Sequence, residues 1–384
     1  MIILQTQHLL MTTTQRFTAL DVFRGMTVCF MIIVNTPGNG ATTFSPLHHA
    51  HWHGFTPTDL VFPSFLFAVG NALSFVLPKW QQLAQSQVLW KILKRTAIIF
   101  LLGFLMYWFP FVKRDITGHF IVAPFAETRV FGVLQRIALC YGIGALIVYY
   151  CKPKTAVIIS IVFLLVYWIL LYMFGDAADP FAMQSNAGAQ LDRWLLGDKH
   201  LYHGEGVAFD PEGLLSTLPA VVNVIAGYLA GNYIRQKGNS YEGLAVLLLT
   251  GAALLFVAYC VDLSFPVNKK LWTSSFVLLT VGLDCILLSA LIYIISFKQK
   301  TGWTYFFEVF GRNPLFIYLL SEVGAILLYF FRVDEKTSVY QWVYQHVFIH
   351  AGPYTGSLLF ALAVMLICWL VGYFLDKKKI YIRV

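Results

Sequence analysis

The chain has 384 residues, of which 58% are hydrophobic and only 12% carry a charge, and its mean hydropathy is +0.69. About 25% charged residues is usual for a soluble globular domain, so this composition excludes that class and indicates a membrane protein. The net charge of +8 does not point to a nucleic-acid partner, because the cations cluster beside apolar segments, where they set membrane orientation.

Apolar segments recur from end to end of the chain, and a helix needs about 20 such residues to cross a bilayer. We predict an all-α polytopic fold in which residues 1–15 form a short N-terminal segment, too polar for a signal peptide, and residues 16–384 form a single transmembrane domain. About ten spans are predicted, near 19–36, 59–78, 95–112, 129–150, 155–175, 213–234, 243–262, 271–297, 303–331 and 356–376. Asn313-Pro314 should interrupt the span 303–331.

The Lys and Arg residues orient these spans. Most of the 27 lie in loops on the side that holds both termini, and fewer lie in the longer loops of the opposite side. Cytoplasmic loops carry an excess of Lys and Arg, so both termini are predicted to be cytoplasmic. The loop between Asn35 and Asp59, which contains neither Lys nor Arg, then faces outward.

This outward loop gathers four histidines in HHAHWH, and Asp59 follows where the chain re-enters lipid. Three interpretations compete: a metal site, a solvated loop, and a catalytic base held at the membrane boundary. We expect no metal, since no Cys, Asp or Glu falls between the histidines and their spacing fits no structural zinc pattern. A histidine base needs a partner that fixes its tautomer, and Asp59 is the candidate, although it could also cap the second helix.

Two stretches, RFTALDVFRGMTVCFMIIVN at 16–35 and HAHWHGFTPTDLVFPSFLFAVG at 49–70, resemble the heparan-α-glucosaminide N-acetyltransferase family, a branch of the transmembrane acyltransferases. Shorter matches follow in order: VLQRIALCY, DPEGLLSTLPAVVNVIAGYLAG, PVNKKLWTSSF and the closing KKKIYIRV. Members transfer an acetyl group from cytosolic acetyl-CoA to the amine of a terminal glucosamine across the membrane. The family pattern His-Ala-x-Trp-x-Gly-x-Thr-x-x-Asp selects His49, so the resemblance implies that His49 is the catalytic histidine and Asp59 orients it.

The resemblance also implies a donor site at the cytoplasmic end of the first span. Arginine suits bidentate phosphate contact, so the residues expected to bind acetyl-CoA there are Arg16, Arg24, Lys378 and Lys379. Ordinary positive-inside anchoring is the alternative for the lysines. Asp21 is expected to pair with one of the two arginines.

Arg136 lies inside a predicted span, which makes it a functional candidate. It could hold the thioester region of the donor, neutralise Glu322, or form a purely structural pair. On the outer side, the residues expected to contact the acceptor are Glu212, Asn268, Lys269 and Trp272. Carboxylates can hold sugar hydroxyls, and tryptophan can stack on a pyranose, while helix capping is the alternative for Glu212 and Asp210.

The expected chemistry is direct transfer, in which His49 removes a proton from the acceptor amine and Asn35 positions the histidine or polarises the thioester carbonyl. A route through an acetyl-histidine remains open. The alternative function is a transporter or permease for amino sugars or sugar fragments, although no matching pair of broken helices is evident.

The chain is compact beside the animal members of the family. This favours a multi-pass protein of the bacterial inner membrane that acts on a small periplasmic amino sugar, with the lipid bilayer and a second copy of the chain as its expected partners.

Overall fold

The computed structural model describes residues 17–114 and 119–382. Arg16 and the N-terminal segment 1–15 lie outside the described residues. The helices are α1 (Thr18–Asn35), α2 (Val61–Trp80), α3 (Gln85–Trp108), α4 (Val133–Tyr150), α5 (Pro153–Phe174), α6 (Ala187–Leu196), α7 (Thr217–Lys237), α8 (Tyr241–Asp262), α9 (Ser274–Ile292), α10 (Thr304–Arg312), α11 (Pro314–Phe330), α12 (Val339–Val343) and α13 (Pro353–Lys377). An antiparallel hairpin of β1 (Val112–Arg114) and β2 (Phe120–Val122) follows α3.

The all-α polytopic class predicted from the sequence is confirmed. Among the described residues, 8 helices are long and apolar enough to cross a membrane, or up to 9 if a bent pair counts as one span. The predicted span 95–112 corresponds to α3, which is not among them because Lys91, Lys94 and Arg95 all lie in its first half. The count of ten spans and the cytoplasmic termini therefore stay predictions.

The bent pair is α10 and α11, which meet at 82°. The break falls between Arg312 and Pro314, as the sequence predicts, because proline lacks the N–H that would continue the helix and restricts the residue before it. Two other predicted spans begin later than expected. The span 213–234 begins at Thr217 and the span 271–297 at Ser274, because turns over the preceding residues place polar side chains at the membrane boundary.

The centre of the bundle is formed by α1, α2, α4 and α7, while α5 and α8 lie at its periphery. In α7, 78% of the membrane-spanning window is buried, against 17% in α5. The axes of α2 and α7 approach closely because both carry glycine at the contact. A Cβ on Gly70 would lie 1.9 Å from the carbonyl oxygen of Val224, and one on Gly227 would lie 2.0 Å from that of Phe67. No other residue fits at these positions.

The loop 36–60 is held by contacts with two other loops and with α12 at the same end of the bundle, which we call the histidine face. Gly54 N–H donates to Val267 O at 2.8 Å, and Trp52 Nε1 donates to Phe181 O at 3.2 Å. Tyr340 Oη donates to Pro37 O at 2.7 Å. These bonds position the histidine loop over the ends of α1 and α2. The opposite end of the bundle, which carries Arg24 and the end of α13, is called the basic face.

Candidate active site

His49 and Asp59 form a hydrogen-bonded pair at the histidine face. His49 Nδ1 lies 2.7 Å from Asp59 Oδ1, and the carboxylate is fully buried while 42% of the imidazole side chain stays accessible. A hydrogen bond from Nδ1 to a carboxylate fixes the tautomer in which Nε2 is free of a proton. His49 is thereby arranged to accept a proton at Nε2.

The buried Asp59 carboxylate is compensated by donors from its own loop. Its Oδ2 accepts from the backbone N–H of Thr56 at 2.9 Å and of Ala50 at 3.1 Å. Asp59 therefore caps the turn before α2 and orients His49 at the same time, so the two interpretations of this residue are both realised. The pattern His-Ala-x-Trp-x-Gly-x-Thr-x-x-Asp places these donors because the turn Pro57–Leu60 folds the carboxylate back onto the loop.

Lys269 places a cation beside the same imidazole. Its Nζ lies 3.0 Å from both ring nitrogens of His49. Burial lowers the pKa of His49 below its usual 6.5, and the charge of Lys269 lowers it further, while the hydrogen bond to Asp59 acts in the opposite direction. Burial also lowers the pKa of Lys269, partly offset by the charges of Asp59 and Glu212. The net result keeps the imidazole neutral near pH 7, as a general base requires.

These groups line a cavity of about 330 Å³, which is within the range that holds a small ligand. Charged and polar side chains converge on it from four parts of the chain. The polar and charged lining residues are Asn35, His49, Thr58, Arg129, Tyr202, Glu205, Glu212, Lys269 and Lys270. The remaining wall is apolar and includes Phe62 and Val133. This is the arrangement expected of a site that orients a polar molecule through a few convergent groups.

Arg129 holds the acidic wall of this cavity. It binds Asp210 through two bonds, Nε–Oδ2 at 3.0 Å and Nη2–Oδ1 at 2.6 Å, and Nη2 also lies 2.6 Å from Glu212 Oε2. Its guanidinium lies between the rings of Tyr107 and Tyr202, 4.9 and 4.6 Å from their centroids. Burial raises the pKa of Asp210, and the bonds to Arg129 oppose this effect. Glu212, predicted to contact the acceptor, lines the cavity; Asp210 lies behind it.

Asn35 lines the cavity, and the hydrogen bond of its side chain is made with Glu322. Asn35 Nδ2 donates to Glu322 Oε1 at 3.0 Å, which ties the end of α1 to α11. Among the described contacts, Glu322 binds Asn35 and is not paired with Arg136, which was one of the alternatives for that arginine. The guanidinium of Arg136 instead donates to Gly213 O at 3.0 Å and to Ser216 Oγ, so it joins α4 to the turn before α7.

Trp272 and Asn268 are buried behind the cavity and are not among its lining residues. Trp272 is 1% exposed and packs edge-on against Phe62, with the ring centroids 5.1 Å apart, while Arg136 lies over its other side at 4.9 Å. Asn268 Oδ1 accepts from Leu271 N–H at 2.8 Å and so shapes the turn that carries Lys269. Both residues were predicted to contact the acceptor. In this arrangement neighbouring side chains cover Trp272 and Asn268, so neither can touch a molecule in the cavity.

The other histidines of the loop make separate local contacts. His48 Nε2 lies 3.0 Å from Thr43 O, and His53 Nδ1 lies 3.5 Å from Asn268 Nδ2. Among the residues that the structure describes, no group of three His, Cys, Asp or Glu side chains is placed to hold a metal ion. His49 alone among the four lines the cavity.

A second cavity, of about 100 Å³, lies on the basic side of the first. Two arginines line it, Arg24 from α1 and Arg95 from α3, and the guanidinium of Arg95 lies 4.7 Å from the ring centroid of Tyr141. Arg24 Nη2 also donates to Asp21 Oδ1 at 2.8 Å, which confirms the expected pairing of Asp21 with an arginine. The rest of the wall is apolar and comes mainly from α2, α3 and α4.

The two cavities use consecutive turns of the same two helices. On α2, Phe62 lines the first cavity and Phe65 the second; on α4, Val133 lines the first and Ile137 the second. Residues three or four apart lie on one face of a helix, about 5.4 Å along its axis. The two chambers thus adjoin along one seam through the bundle.

The C-terminal lysines lie outside the lining of the second cavity but are tied to its edge. Asn313 Nδ2 donates to Ile380 O at 3.0 Å, and Ile382 N–H donates to Asn313 Oδ1 at 2.8 Å. The next residue, Pro314, lines the cavity. Lys378 and Lys379 therefore precede a segment that is bound next to this cavity, whereas Arg16 lies outside the described residues.

Sequence reasoning missed several lining residues. They are Arg129, Tyr202, Glu205 and Lys270 in the first cavity and Arg95 in the second. Their roles depend on contacts between distant parts of the chain, such as Lys270 Nζ with Glu205 Oε2 at 2.6 Å. The sequence signal that could have found Arg129 is its position just before a span, opposite the acidic pair of the predicted acceptor segment.

Comparison with known proteins finds similarity to heparan-alpha-glucosaminide N-acetyltransferases, both in a family model and in individual proteins. Residues 16–192 match the family model described as "Heparan-alpha-glucosaminide N-acetyltransferase, catalytic". The chain is 26% identical to the human protein named heparan-alpha-glucosaminide N-acetyltransferase, over 96% of this chain and 60% of that protein. It is 24% identical to the mouse protein of the same name, over 97% of this chain and 61% of that protein. The chain thus spans about three-fifths of the length of these curated relatives.

Proposed function

We propose that this chain, which is homologous to the heparan-alpha-glucosaminide N-acetyltransferases, is a transmembrane acetyltransferase that moves an acetyl group from acetyl-CoA to the amine of an amino sugar. The observation that carries the proposal is the His49–Asp59 pair in a cavity that adjoins, one helical turn away, a second cavity lined by two arginines. The first cavity offers a general base and polar groups that can bind the acetyl acceptor. The second cavity offers cations that can bind an anionic donor.

The donor enters from the basic face in this proposal. Acetyl-CoA carries phosphates, which Arg24 and Arg95 can bind through charge-assisted hydrogen bonds. Its pantetheine arm then follows the apolar seam of α2 and α4 until the thioester reaches the His49 cavity. The positive-inside rule places the basic face in the cytoplasm, which would make the histidine face periplasmic in a bacterial inner membrane.

The transfer is a direct displacement. The acceptor nitrogen attacks the thioester carbonyl carbon, so a C–N bond forms and the C–S bond breaks. His49 Nε2 takes the proton released by the amine and passes it to the departing thiolate of CoA, which leaves as the free thiol. Asp59 holds the imidazole in the required tautomer and stabilises the imidazolium that forms.

The acidic and basic walls of the His49 cavity would hold the acceptor. Glu205 and Glu212 can accept hydrogen bonds from sugar hydroxyls, and Lys269 marks the position beside Nε2 that the reacting amine must approach. A cation at this point also favours the negative charge that develops on the carbonyl oxygen.

The test is acetyl transfer by the purified chain in proteoliposomes, with labelled acetyl-CoA and glucosamine as probes. His49→Ala should lower kcat by about 10²–10⁴-fold, the usual contribution of a general base. His51→Ala is the matched control, because His51 lies in the same loop and does not line the cavity. Normal transfer by His49→Ala would refute the mechanism, and uptake of unmodified glucosamine without release of CoA would favour a transporter.

A further inference from the structure

A third cavity, of about 240 Å³, lies between α1 and α2 and borders the His49 cavity. Three residues line both cavities: Val34 at the end of α1, Thr58 in the turn before α2, and Val61 at the start of α2. The two spaces therefore share a wall at the position where α1 and α2 flank the catalytic pair. We call this third cavity the side cavity.

The side cavity is apolar and opens to the bilayer. Its walls include Phe23, Met26, Phe30, Leu60 and Leu287, and the residues that line it carry no formal charge. Phe30 is 44% exposed although it lies within a membrane-spanning helix, five residues before the histidine-face end of α1. An exposed side chain at that depth faces lipid. The opening thus lies in the leaflet next to the histidine face.

We propose that the acceptor is an amino sugar attached to an apolar group, with the sugar in the His49 cavity and the apolar group in the side cavity. This inference rests on the proposed function and names its substrate class. A polar chamber that shares three wall residues with an apolar chamber matches a molecule with a polar head and an apolar tail. Such an acceptor resides in the bilayer and enters sideways between α1 and α2.

The lining residues assign the side cavity to the acceptor and not to the donor. The side cavity shares Val34, Thr58 and Val61 with the His49 cavity, and it shares no lining residue with the arginine-lined cavity. The arginine-lined cavity uses the later turns of α2, from Phe65 to Val76, whereas the side cavity uses the turn at its start. The side cavity therefore adjoins the space proposed for the acceptor.

The experiment compares short, water-soluble glucosaminides as acceptors for the purified protein in detergent micelles. The probes are methyl, propyl and hexyl β-D-glucosaminide with acetyl-CoA as the donor. Each methylene that moves from water into an apolar cavity strengthens binding by about fourfold at most. We expect kcat/KM for the hexyl compound to exceed that for the methyl compound by at least about tenfold.

Two variants assign that preference to the side cavity. Leu287→Trp fills the cavity from α9 and should reduce the hexyl-to-methyl ratio to below about threefold. Leu249→Trp makes the same substitution at a residue of α8 that is 66% exposed and lines none of the three cavities, and it should keep the ratio of the parent. If Leu287→Trp fails to fold, Phe30→Ala removes a wall and should lower the ratio instead.

The outcomes separate this inference from the function on which it rests. Equal use of methyl and hexyl glucosaminides by the parent and both variants overturns the inference and leaves the acetyltransferase intact. A Leu287→Trp change that impairs longer acyl-CoA donors, with the acceptor ratio unchanged, assigns the cavity to the donor and also overturns it. Failure to acetylate any glucosaminide refutes the proposed function itself.

Discussion

Asp59 performs two tasks with one carboxylate, and its two oxygens divide them. Oδ1 faces His49 at 2.7 Å, and Oδ2 accepts backbone N–H groups of the loop. Asparagine has nearly the same shape as aspartate but carries one acceptor oxygen and one donor nitrogen. A change to asparagine can therefore keep the bonds to the loop while it alters the bond to His49.

Asp59→Asn should therefore fold but lose activity. The amide oxygen can still accept from the loop, while the amide N–H donates to His49 Nδ1 and moves the imidazole proton to Nε2, which then cannot accept one. We expect kcat to fall by about 10²–10⁴-fold. Acetyl transfer and thermal unfolding would be measured together, with His51→Ala as the control. If Asp59→Asn does not fold, the charge of the carboxylate is needed for the folded structure, which contradicts this prediction.

Lys269 should set the pH at which His49 becomes protonated. Its cation lowers the pKa of His49, so removing the charge raises that pKa. In Lys269→Met the acid limb of the kcat/KM profile should move to higher pH, because a larger share of His49 is protonated at each pH. The measurement is the pH profile from pH 5 to 8 for both proteins. A limb that moves to lower pH, or does not move, would contradict the electrostatic role.

Arg24 should contribute to donor affinity. A charge-assisted hydrogen bond contributes about 1.5–3 kcal/mol, so Arg24→Gln should weaken CoA binding by roughly 10–100-fold. Lys79→Gln is the control, since Lys79 is an exposed cation at the end of α2, at the same face, and lines none of the cavities. Calorimetric titration of CoA into both variants decides the matter. Equal affinities would confine Arg24 to orientation of the first span.

At the scale of elements, the seam between the cavities depends on how closely α2 packs on α7. Gly70 and Gly227 allow carbonyl oxygens of the facing helix to approach within 2.0 Å of where a Cβ would stand. Small residues at helix contacts let backbones approach in a bilayer, where apolar burial alone gives little driving force. The pair therefore fixes the position of α2, whose residues line all three cavities.

Gly70→Ala should destabilise the protein because the new methyl group meets the backbone of α7. Overpacking of this kind costs typically about 1–3 kcal/mol. Gly324→Ala in α11 is the matched control, since a Cβ there meets nothing within 4 Å, and it should unfold at or slightly above the temperature of the parent. Thermal unfolding in detergent compares the two. Equal unfolding temperatures would indicate that α2 and α7 can separate without cost.

The broken pair α10–α11 places Arg312 at the corner of the bend. Its guanidinium binds Asp376 of α13 and lies 3.0 Å from Glu308 Oε2 of its own helix, so the corner is fastened to the last helix. Asn313 then holds the chain after α13 through Ile380 and Ile382. The bend thus keeps the C-terminal lysines beside the arginine-lined cavity.

At the scale of the whole molecule, the bundle brings two openings of unlike chemistry to one seam. The basic face offers two arginines, the histidine face offers a base and two carboxylates, and α2 and α4 connect them. In the proposed function, substrates that approach from opposite sides react at this seam without either one crossing the membrane.

A bulky side chain in the seam should therefore stop transfer without preventing donor binding. Val133 of α4 lines the His49 cavity one turn from Ile137, which lines the arginine-lined cavity. Val133→Trp should retain CoA binding and lower acetyl transfer by at least about 10²-fold, the loss expected when reacting atoms cannot meet. Val166→Trp, at a position 39% exposed on α5, is the control. Full transfer by Val133→Trp would place the donor elsewhere.

Four features could be predicted from the sequence alone: the class of fold, the family resemblance, the break at Asn313-Pro314 and the pairing of Asp59 with one histidine of the loop. These are local or compositional features: apolar length, a proline, and a short motif in which ten residues bring the base and its partner together. The resemblance is confirmed by the comparisons, while the catalytic and binding roles stay predictions.

The other residues that share the site are identified by the tertiary structure and could not be predicted from the sequence. Arg129 meets Asp210 and Glu212 from some 80 positions away along the chain, and Trp272 is turned inward to support Phe62. The side cavity is lined by residues of α1, of the loop before α2, of α2 and of α9. Such juxtapositions follow from the packing of helices against one another, and no periodicity within a single helix encodes them.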